Sequence, residues 1–352
     1  MIHVAILGAG IGKLHLDGFR ALPNRFNVAA VCDLDTERAE MLREAGEDFK
    51  VLSDVAEVMA DPEINLIDIC LPPHLHVDIA IQALQAGKDV ICEKPLGRSL
   101  AEVDRLRAAI DQFGGQVFPV FQYRYGLATA QLAALQAAGL TGRALVASAE
   151  THWNREGDYY ATPWRGTWKG ESGGALLGHA IHAHDLLCNL FGPVAQVSAM
   201  TDTLVNDIEV EDCATVSMRM ENGALASSSV TLGAAPDTSR LKLCFAGLTA
   251  QSGSLPYAPA QDTWTFTARG DTLQSDVDRV VQSVPETLGG FAGFLDAVAD
   301  AMSGAGGREV TFEDGRRSIE LVTALYTSAR EGRLVRLPID ANDPLYGGWT
   351  PA

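Results

Sequence analysis

The chain has 352 residues, of which 47% are hydrophobic and 20% charged, and its net charge is −18. This length predicts two domains, because one core rarely serves so long a chain. The acidic balance argues against nucleic-acid and anionic-membrane partners. No apolar run reaches the roughly 20 residues that span a bilayer, the N-terminus has no basic leader, and the six cysteines form no CxxC pair. We therefore expect a soluble cytoplasmic protein with reduced thiols.

Short apolar runs rich in Val and Ile alternate with helical stretches over the first 120 residues. The runs cover residues 3–7, 28–32, 66–71, 90–92 and 117–121. The helical stretches cover 36–45 and 75–86, and a third begins at a Ser99–Glu102 capping box and ends at Gly114. Unbroken buried strands linked by helices predict a doubly wound parallel sheet, the Rossmann arrangement, over residues 1–122.

A glycine-rich turn links the first predicted strand to the first helix. Gly8 permits the tight turn, Gly10 lets the backbone approach a diphosphate, and the helix that begins near Gly12 directs its free N–H groups at that anion. Asp33 ends the second strand, where a carboxylate binds a ribose diol. A carboxylate there favours NAD over NADP. Arg38 softens this preference, unless it is only a solvated charge on a helix face.

Two proline-containing segments follow the third and fourth predicted strands, at residues 71–76 and 93–95. Ligands of doubly wound sheets bind beyond such strand ends. Pro95 restricts Lys94 to an extended or turn conformation. Lys94 is then either a group that polarises a substrate hydroxyl or carbonyl or an ordinary surface turn residue.

Hairpin-linked strands replace the strand–helix alternation in the second half of the chain. Strand-like runs cover residues 144–151, 194–205, 213–220, 224–232 and 241–246, and Asn222-Gly223 between two of them is a hairpin signal. Helices at 291–302 and 313–330 and a closing strand at 334–339 follow. We assign residues 123–352 to a second domain that is built on a mostly antiparallel sheet.

Three polar residues repeat at intervals of three in a predicted helix over residues 173–187. His179, His182 and Asp185 are spaced so that neighbours share a face. Their clustering after a glycine-rich entry favours a functional role. Metal binding is the competing interpretation, but no further ligand cluster accompanies them, so no metal site is predicted.

Aromatic and arginine side chains cluster upstream of this helix, in a pattern suited to a polyol. A packed loop between domains is the alternative for each of them. The candidates are Tyr123, Arg124, His152, Trp153, Trp164 and Arg165.

The segment PPHLHVDIAIQALQAGKDVICEKPL resembles the glucose–fructose oxidoreductase and inositol 2-dehydrogenase family (Gfo/Idh/MocA), and GGALLGHAIHAHDLLCNLFG resembles its second signature. The resemblance implies a Rossmann domain, a C-terminal domain with a large open sheet, and a homo-oligomer (dimer or tetramer) formed through that sheet. Lys94 corresponds to the family's EKP lysine and His182 to its catalytic histidine. The frequent aspartate four residues earlier is Gly178 here, which puts an inositol-type substrate in doubt; His179 is a candidate replacement.

The sequence therefore predicts an NAD-dependent oxidoreductase, with NADP as an alternative, that interconverts a secondary alcohol and a ketone on a sugar, sugar derivative or cyclitol. An NAD-using glycosidase of the same family and a non-catalytic nucleotide-binding regulator are the other hypotheses. The catalytic candidates are Lys94, His182 and His179. The cofactor candidates are Gly8, Gly10, Ile11, Gly12, Asp33, Arg38, Leu71, Pro72, His76, Glu93 and Lys94, and the substrate candidates add Asp185, His179, His182 and Lys94 to the cluster above.

Overall fold

Two compact units make up residues 1–351, which the computed structural model describes. The first unit contains Met1–Val120 and Phe291–Ile319, and the second contains Phe121–Gly290 and the chain from Glu320 onward. The sequence analysis placed every residue after 122 in the second domain. The structure instead groups a C-terminal segment with the first.

The first unit is built on a six-stranded parallel sheet. Its strands are β1 (Ile2–Leu7), β2 (Phe26–Cys32), β3 (Lys50–Leu52), β4 (Leu66–Ile69), β5 (Asp89–Cys92) and β6 (Val117–Pro119). They lie in the order β3-β2-β1-β4-β5-β6, with every pair parallel. The central strands are mostly buried, which explains their predominantly apolar sequence. The predicted doubly wound sheet is confirmed.

Helices connect these strands. They are α1 (Gly12–Arg20), α2 (Thr36–Glu40), α3 (Val55–Ala60), α4 (His76–Gln85) and α5 (Leu100–Phe113). The predicted capping interaction is present, because the Ser99 hydroxyl accepts a hydrogen bond from the Glu102 N–H at 3.1 Å. Gly114 follows α5 with a φ of 76°, which suits glycine.

The C-terminal segment that joins the first unit lies on α11 (Gly290–Met302) and the first part of α12 (Phe312–Glu331). Two carboxylates of α11, Asp296 and Asp300, pair with Arg25, and the Asp300 contact is 2.6 Å long. Gly18 of α1 lets α11 approach closely, since an added Cβ would lie 3.0 Å from Leu295. No local pattern encodes this long-range packing.

The second unit is built on an eight-stranded sheet. Its strands are β7 (Ala144–Asn154), β8 (Val194–Asp202), β9 (Cys213–Met220), β10 (Leu225–Thr231), β11 (Gly233–Phe245), β12 (Leu248–Gln251), β13 (Thr265–Ala268) and β14 (Val335–Arg336). The order is β13-β12-β11-β7-β10-β9-β8-β14, and only the β7–β10 pair is parallel. The predicted mostly antiparallel sheet and the hairpin at Asn222-Gly223 are confirmed.

Side chains alternate along β7 between a buried and a more exposed face. Ala147, Ala149, Thr151 and Trp153 are buried, whereas the intervening residues are partly or fully exposed. The buried face packs against α9 (Ile181–Phe191). The other face carries the exposed apolar side chains of Val146, Met200 and Leu225.

Further helices of the second unit are α6 (Leu127–Ala137), α7 (Gly157–Tyr160), α8 (Trp168–Glu171) and α10 (Gln274–Ser283), and a π-helical turn (Leu176–Ala180) leads into α9. No helix within residues 1–351 has both the length and the apolar character needed to cross a bilayer. All six cysteines are free thiols.

The elements that were not predicted from the sequence include β3, α3, β12, β13 and α10. The predicted helix over 36–45 is also too long, because α2 ends at Glu40. Apart from the ten-residue α10, these unpredicted elements have three to six residues, too few positions for a hydrophobic period to identify them.

Candidate active site

The three glycines of the β1–α1 turn lie in different surroundings, and these explain why each position lacks a side chain. Gly8 has a φ of 102°, and an added Cβ would overlap the Cys70 carbonyl oxygen. A Cβ on Gly12 would lie 2.8 Å from the Ile6 side chain, so this glycine allows α1 to pack on β1. A Cβ on Gly10 would meet no atom within 4 Å. The open space at Gly10, in front of the start of α1, fits a dinucleotide diphosphate.

Asp33 closes the other side of this turn. One carboxylate oxygen accepts the Ala9 N–H at 2.7 Å, and the other accepts the Asp35 N–H at 2.9 Å and an Arg38 N–H at 2.8 Å. Burial acts to raise the pKa of Asp33, but these hydrogen bonds outweigh it and lower the pKa below its usual value. Arg38 therefore pairs with Asp33, the residue predicted to bind the ribose, and is not merely a solvated charge. Ile11 lies beside the turn and is partly exposed.

His76 joins the two strand-end segments that the sequence analysis identified. Its Nδ1 lies 2.7 Å from the Pro95 carbonyl oxygen, and its Nε2 lies 2.7 Å from the Leu71 carbonyl oxygen. The Glu93 carboxylate accepts the Lys94 backbone N–H at 3.0 Å. These contacts fix the backbone on both sides of Lys94.

A buried charged network lies beneath this segment, and the sequence analysis missed it. His15 Nδ1 lies 2.9 Å from an Asp68 oxygen, and His15 Nε2 lies 3.1 Å from a Glu93 oxygen. Burial lowers the pKa of His15, but the Asp68 carboxylate and Cys70 outweigh burial and raise it well above its usual range. An acidic residue in the otherwise apolar strand Leu66–Ile69 was the available signal.

The same network contains the ligand atoms of His15, Asp68 and Cys70, which lie within 4.8 Å of one another. A metal ion would need this spacing too, but here the histidine already pairs with the carboxylate. Within residues 1–351, His179, His182 and Asp185 do not form such a group.

The Glu211 carboxylate binds the start of the helical segment that carries His179 and His182. Its carboxylate accepts the N–H groups of Gly174 and Leu176 at 3.1 and 2.9 Å, and the Tyr326 hydroxyl donates to it at 3.0 Å. Burial raises the pKa of Glu211 to about 7. The carboxyl group thus satisfies backbone donors at the helix start, which fixes the position of the histidines that follow.

His182 lies in α9 and is buried between aromatic rings. The Tyr123 ring stacks on the imidazole with centroids 4.7 Å apart and an interplanar angle of 23°, and Phe121 meets it edge-on at 5.9 Å. Tyr123 and His182, both predicted site residues, are therefore in contact. The stacking holds the plane of the imidazole nearly parallel to the Tyr123 ring.

His179 lies on the π-helical turn and has its own aromatic neighbours. The Tyr159 hydroxyl oxygen lies 3.3 Å from its Nε2, and the Trp153 ring meets it edge-on at 5.5 Å. The third histidine of the helix differs, because burial lowers the pKa of His184 to about 4 and Ser228 is its hydrogen-bond partner. His184 is a neutral core residue.

Two predicted substrate residues bind each other. Asp185 and Arg124 form a two-point ion pair with distances of 2.8 and 2.6 Å, and both side chains are largely buried. This pair ties α9 to the segment that carries Tyr123. Both residues were predicted to contact substrate, and in the structure their charged groups bind each other.

His152 is not brought together with the other candidates. It lies on β7 next to Trp153 but on the opposite face, where its Nε2 is 2.9 Å from the Ser229 hydroxyl. The sequence predicted a strand that ends at residue 151 and assigned both residues to substrate binding. The strand continues to Asn154, so adjacent side chains point to opposite faces.

Comparison with known proteins identifies the family to which this architecture belongs. The oxidoreductase family with an NAD-binding Rossmann fold (GFO_IDH_MocA) matches residues 2–121, and the GFO/IDH/MocA C-terminal domain matches residues 129–247. The chain belongs to the Gfo/Idh/MocA oxidoreductase family. Its first unit is the NAD-binding Rossmann domain of that family.

Relatives of this Gfo/Idh/MocA protein include named sugar dehydrogenases. Levoglucosan dehydrogenase of Pseudarthrobacter phenanthrenivorans is 29% identical over 66% of this chain and 68% of its own length. An uncharacterized oxidoreductase of Synechocystis is 28% identical over 65% of each protein, and one of Bacillus subtilis is matched over 65% of its length. The alignments with these two thus span slightly less than two thirds of the relatives.

A solved structure matches nearly the whole Gfo/Idh/MocA chain. The WlbA dehydrogenase of Bordetella pertussis, crystallised with NADH and UDP-GlcNAcA, is 28% identical and has a TM-score of 0.82, with 96% of this chain and 99% of that chain covered. The order of a parallel six-stranded sheet followed by a larger mixed sheet is therefore that of the family.

Proposed function

We propose that the chain is an NAD-dependent dehydrogenase that interconverts a secondary alcohol and a ketone on a sugar or sugar derivative. The observation that carries this proposal is His182, a buried imidazole fixed by Tyr123 in a chain of a dehydrogenase family. The relatives support a carbohydrate substrate, since one is named for levoglucosan and another was crystallised with a nucleotide sugar acid.

The cofactor assignment rests on the first unit. NAD, when bound, accepts or delivers the hydride. The open space at Gly10 would receive its diphosphate, and the Asp33 carboxylate would bind its ribose diol. A charged Asp33 disfavours a 2′-phosphate, whereas Arg38 would favour one. NAD is thus the proposed cofactor and NADP the alternative.

His182 is the proposed acid–base group. An imidazole in this position takes the hydroxyl proton as the alcohol is oxidised and returns it in the reverse direction. Stacking on Tyr123 holds the ring so that little reorganisation accompanies proton transfer. His179 is the second candidate, and the space beside Gly178, where an added Cβ would meet no atom within 4 Å, leaves room for a substrate group.

Lys94 is the proposed electrostatic partner in the same reaction. Its ammonium group would stabilise negative charge that develops on the substrate oxygen. The backbone contacts of Glu93 and His76 hold the EKP segment in place. The homo-oligomer through the second sheet stays a prediction, and the exposed apolar side chains of Val146 and Met200 on one face of that sheet support it.

Substitution separates these roles from mere folding. His182→Ala and Lys94→Ala should each lower kcat at least ~100-fold while NAD binding persists. Turnover is followed as NADH absorbance at 340 nm with a panel of sugars and polyols, and NAD binding by calorimetry. His184→Gln is the matched control on the same helix and should keep kcat within about threefold of the wild type. Near-normal turnover in both Ala variants would overturn the assignment.

A further inference from the structure

Two guanidinium groups pack against one aromatic ring beside His179. The Arg165 Cζ atom lies 4.0 Å from the centre of the Tyr159 ring and 4.7 Å from that of Trp164. Arg155 lies 5.4 Å from the same Tyr159 ring and 5.1 Å from Trp153. In a chain with a net charge of −18, two cations that share one ring are not a consequence of composition.

The two arginines differ in how their charges are compensated. Arg155 pairs with Asp237 at 3.2 Å and donates to the Tyr257 hydroxyl at 3.2 Å. Asp237 also accepts the Tyr257 hydroxyl, so these three side chains form a closed network. The charge of Arg155 is therefore largely neutralised within the protein.

Arg165 has a looser ionic contact. The Glu171 oxygen that pairs with it is 3.5 Å away, beyond the usual 2.7–3.2 Å of an N–H···O hydrogen bond. The other Glu171 oxygen accepts the Gly166 N–H at 2.6 Å, which holds this carboxylate to its own loop. The Arg165 side chain is 29% exposed. A guanidinium that packs on a ring by its face keeps its N–H donors in its own plane, where they match a carboxylate or phosphate.

Tyr159 connects Arg165 to the candidate histidines. Arg165 packs against the Tyr159 ring, and the Tyr159 hydroxyl oxygen lies 3.3 Å from His179 Nε2. His179 precedes His182 by three residues, one helical turn along the chain. A substrate held near His182 would therefore be within reach of Arg165 if it carried a charged substituent a few bonds away from the reacting carbon.

We propose that Arg165, packed on Tyr159, binds an anionic group of the substrate, so that the enzyme acts on a sugar with a carboxylate or phosphate group and not on a neutral polyol. This inference rests on the proposed dehydrogenase function and narrows its substrate class. A uronic acid and a phosphorylated sugar share the chemistry that Arg165 recognises, and the test distinguishes them.

The test uses three probes with one ring: glucose, glucuronic acid and glucose 1-phosphate. Affinity for the full-length protein in the presence of NAD is measured by calorimetry. At least one anionic probe should bind about 10- to 100-fold more tightly than glucose, as expected for a charge-assisted hydrogen bond, and its affinity should fall as salt is added. The tighter of the two anionic probes identifies the carboxylate or the phosphate as the recognised group.

Variants locate the binding group. Arg165→Ala should remove the preference for the anionic probe, and Arg165→Lys should keep part of it. Arg240→Ala is the matched control, because Arg240 is also partly exposed and pairs loosely with Glu150 at 3.4 Å; it should leave all three affinities unchanged. Melting temperatures of the variants exclude a folding defect. Equal or absent binding of all three probes, or an anion preference that survives in Arg165→Ala, would overturn the proposal.

The result is separable from the fate of the proposed dehydrogenase. His182→Ala should abolish NAD reduction but keep the preference for the anionic probe over glucose, since proton transfer is assigned to His182 and the preference to Arg165. Anion binding through Arg165 without NAD reduction by any probe would leave the anion site standing and contradict the dehydrogenase assignment. NAD reduction with neutral glucose at the rate of the anionic probes would support the dehydrogenase assignment and contradict the anion site.

Discussion

The same substitution, Gly to Ala, should impair different properties at two positions of one turn: stability at Gly8 and NAD binding at Gly10. Gly8 has a φ of 102°, and its Cβ would overlap the Cys70 backbone. The left-handed conformation alone costs about 1–2 kcal/mol for a residue with a Cβ. Relief of the overlap requires movement of a central strand, so we expect a loss of about 3 kcal/mol in the free energy of unfolding.

Gly10 lies two residues further on, and its backbone φ is not in the left-handed region. A Cβ there would meet no protein atom within 4 Å, so Gly10→Ala should leave the stability of the NAD-free protein unchanged. It would occupy the space assigned to the diphosphate. NAD affinity should therefore fall at least about tenfold, which corresponds to about 1.4 kcal/mol.

Thermal unfolding with and without NAD distinguishes the two effects. Gly8→Ala should lower the Tm of the NAD-free protein by about 6–12 °C, at about 2–4 °C per kcal/mol for a unit of this size. Gly10→Ala should keep the Tm and lose most of the NAD-induced increase. If Gly10→Ala bound NAD as the wild type does, the diphosphate would not lie at this turn; if Gly8→Ala were as stable as the wild type, the argument from the Cys70 carbonyl would be wrong.

Two further predictions concern buried carboxylates. Asp33→Ser should shift the ratio of NAD to NADP affinity at least about tenfold toward NADP, because it removes the charge that repels a 2′-phosphate and releases Arg38; an unchanged ratio in calorimetry would count against the ribose assignment. Asp68→Asn should lower the Tm most near pH 6 and progressively less as pH rises through the folded-state pKa of His15. Asp68 raises the pKa of His15 above its unfolded value of about 6.5, so the contribution is complete below that pH and is lost as pH rises through the folded-state pKa. A Tm difference independent of pH would contradict this ion-pair account.

Local sequence predicted the first unit well because its signals are local. Buried parallel strands require unbroken Val and Ile, and the turn at Gly8 requires a residue without a Cβ. The periods of α5 and α11 were equally visible, since each is long enough to repeat its apolar face several times. The contact of His182 with Tyr123 joins residues far apart in the chain. Family resemblance pointed to His182, and the cluster of aromatic and arginine residues pointed to Tyr123.

The structure adds contacts and side-chain directions that the sequence did not reveal. The predicted strand ended three residues too early, so the sequence did not reveal that His152 and Trp153 face opposite sides of the sheet. Arg124 and Asp185 were each assigned to substrate, because a single sequence does not show that they pair with each other across 61 positions. The His15–Asp68 pair was missed for the same reason.

The C-terminal segment that rejoins the Rossmann unit limits how this protein can be divided. A fragment that ended at Val120 would leave the Phe291 ring, 4.5 Å from His15, behind. It would also remove both acidic partners of Arg25 and expose the surface of α1 at Gly18 that α11 covers. A chimera that uses this nucleotide-binding unit would therefore need two separate stretches of chain. A crossover point chosen from the order of the sequence motifs alone would leave part of the unit's core exposed to solvent.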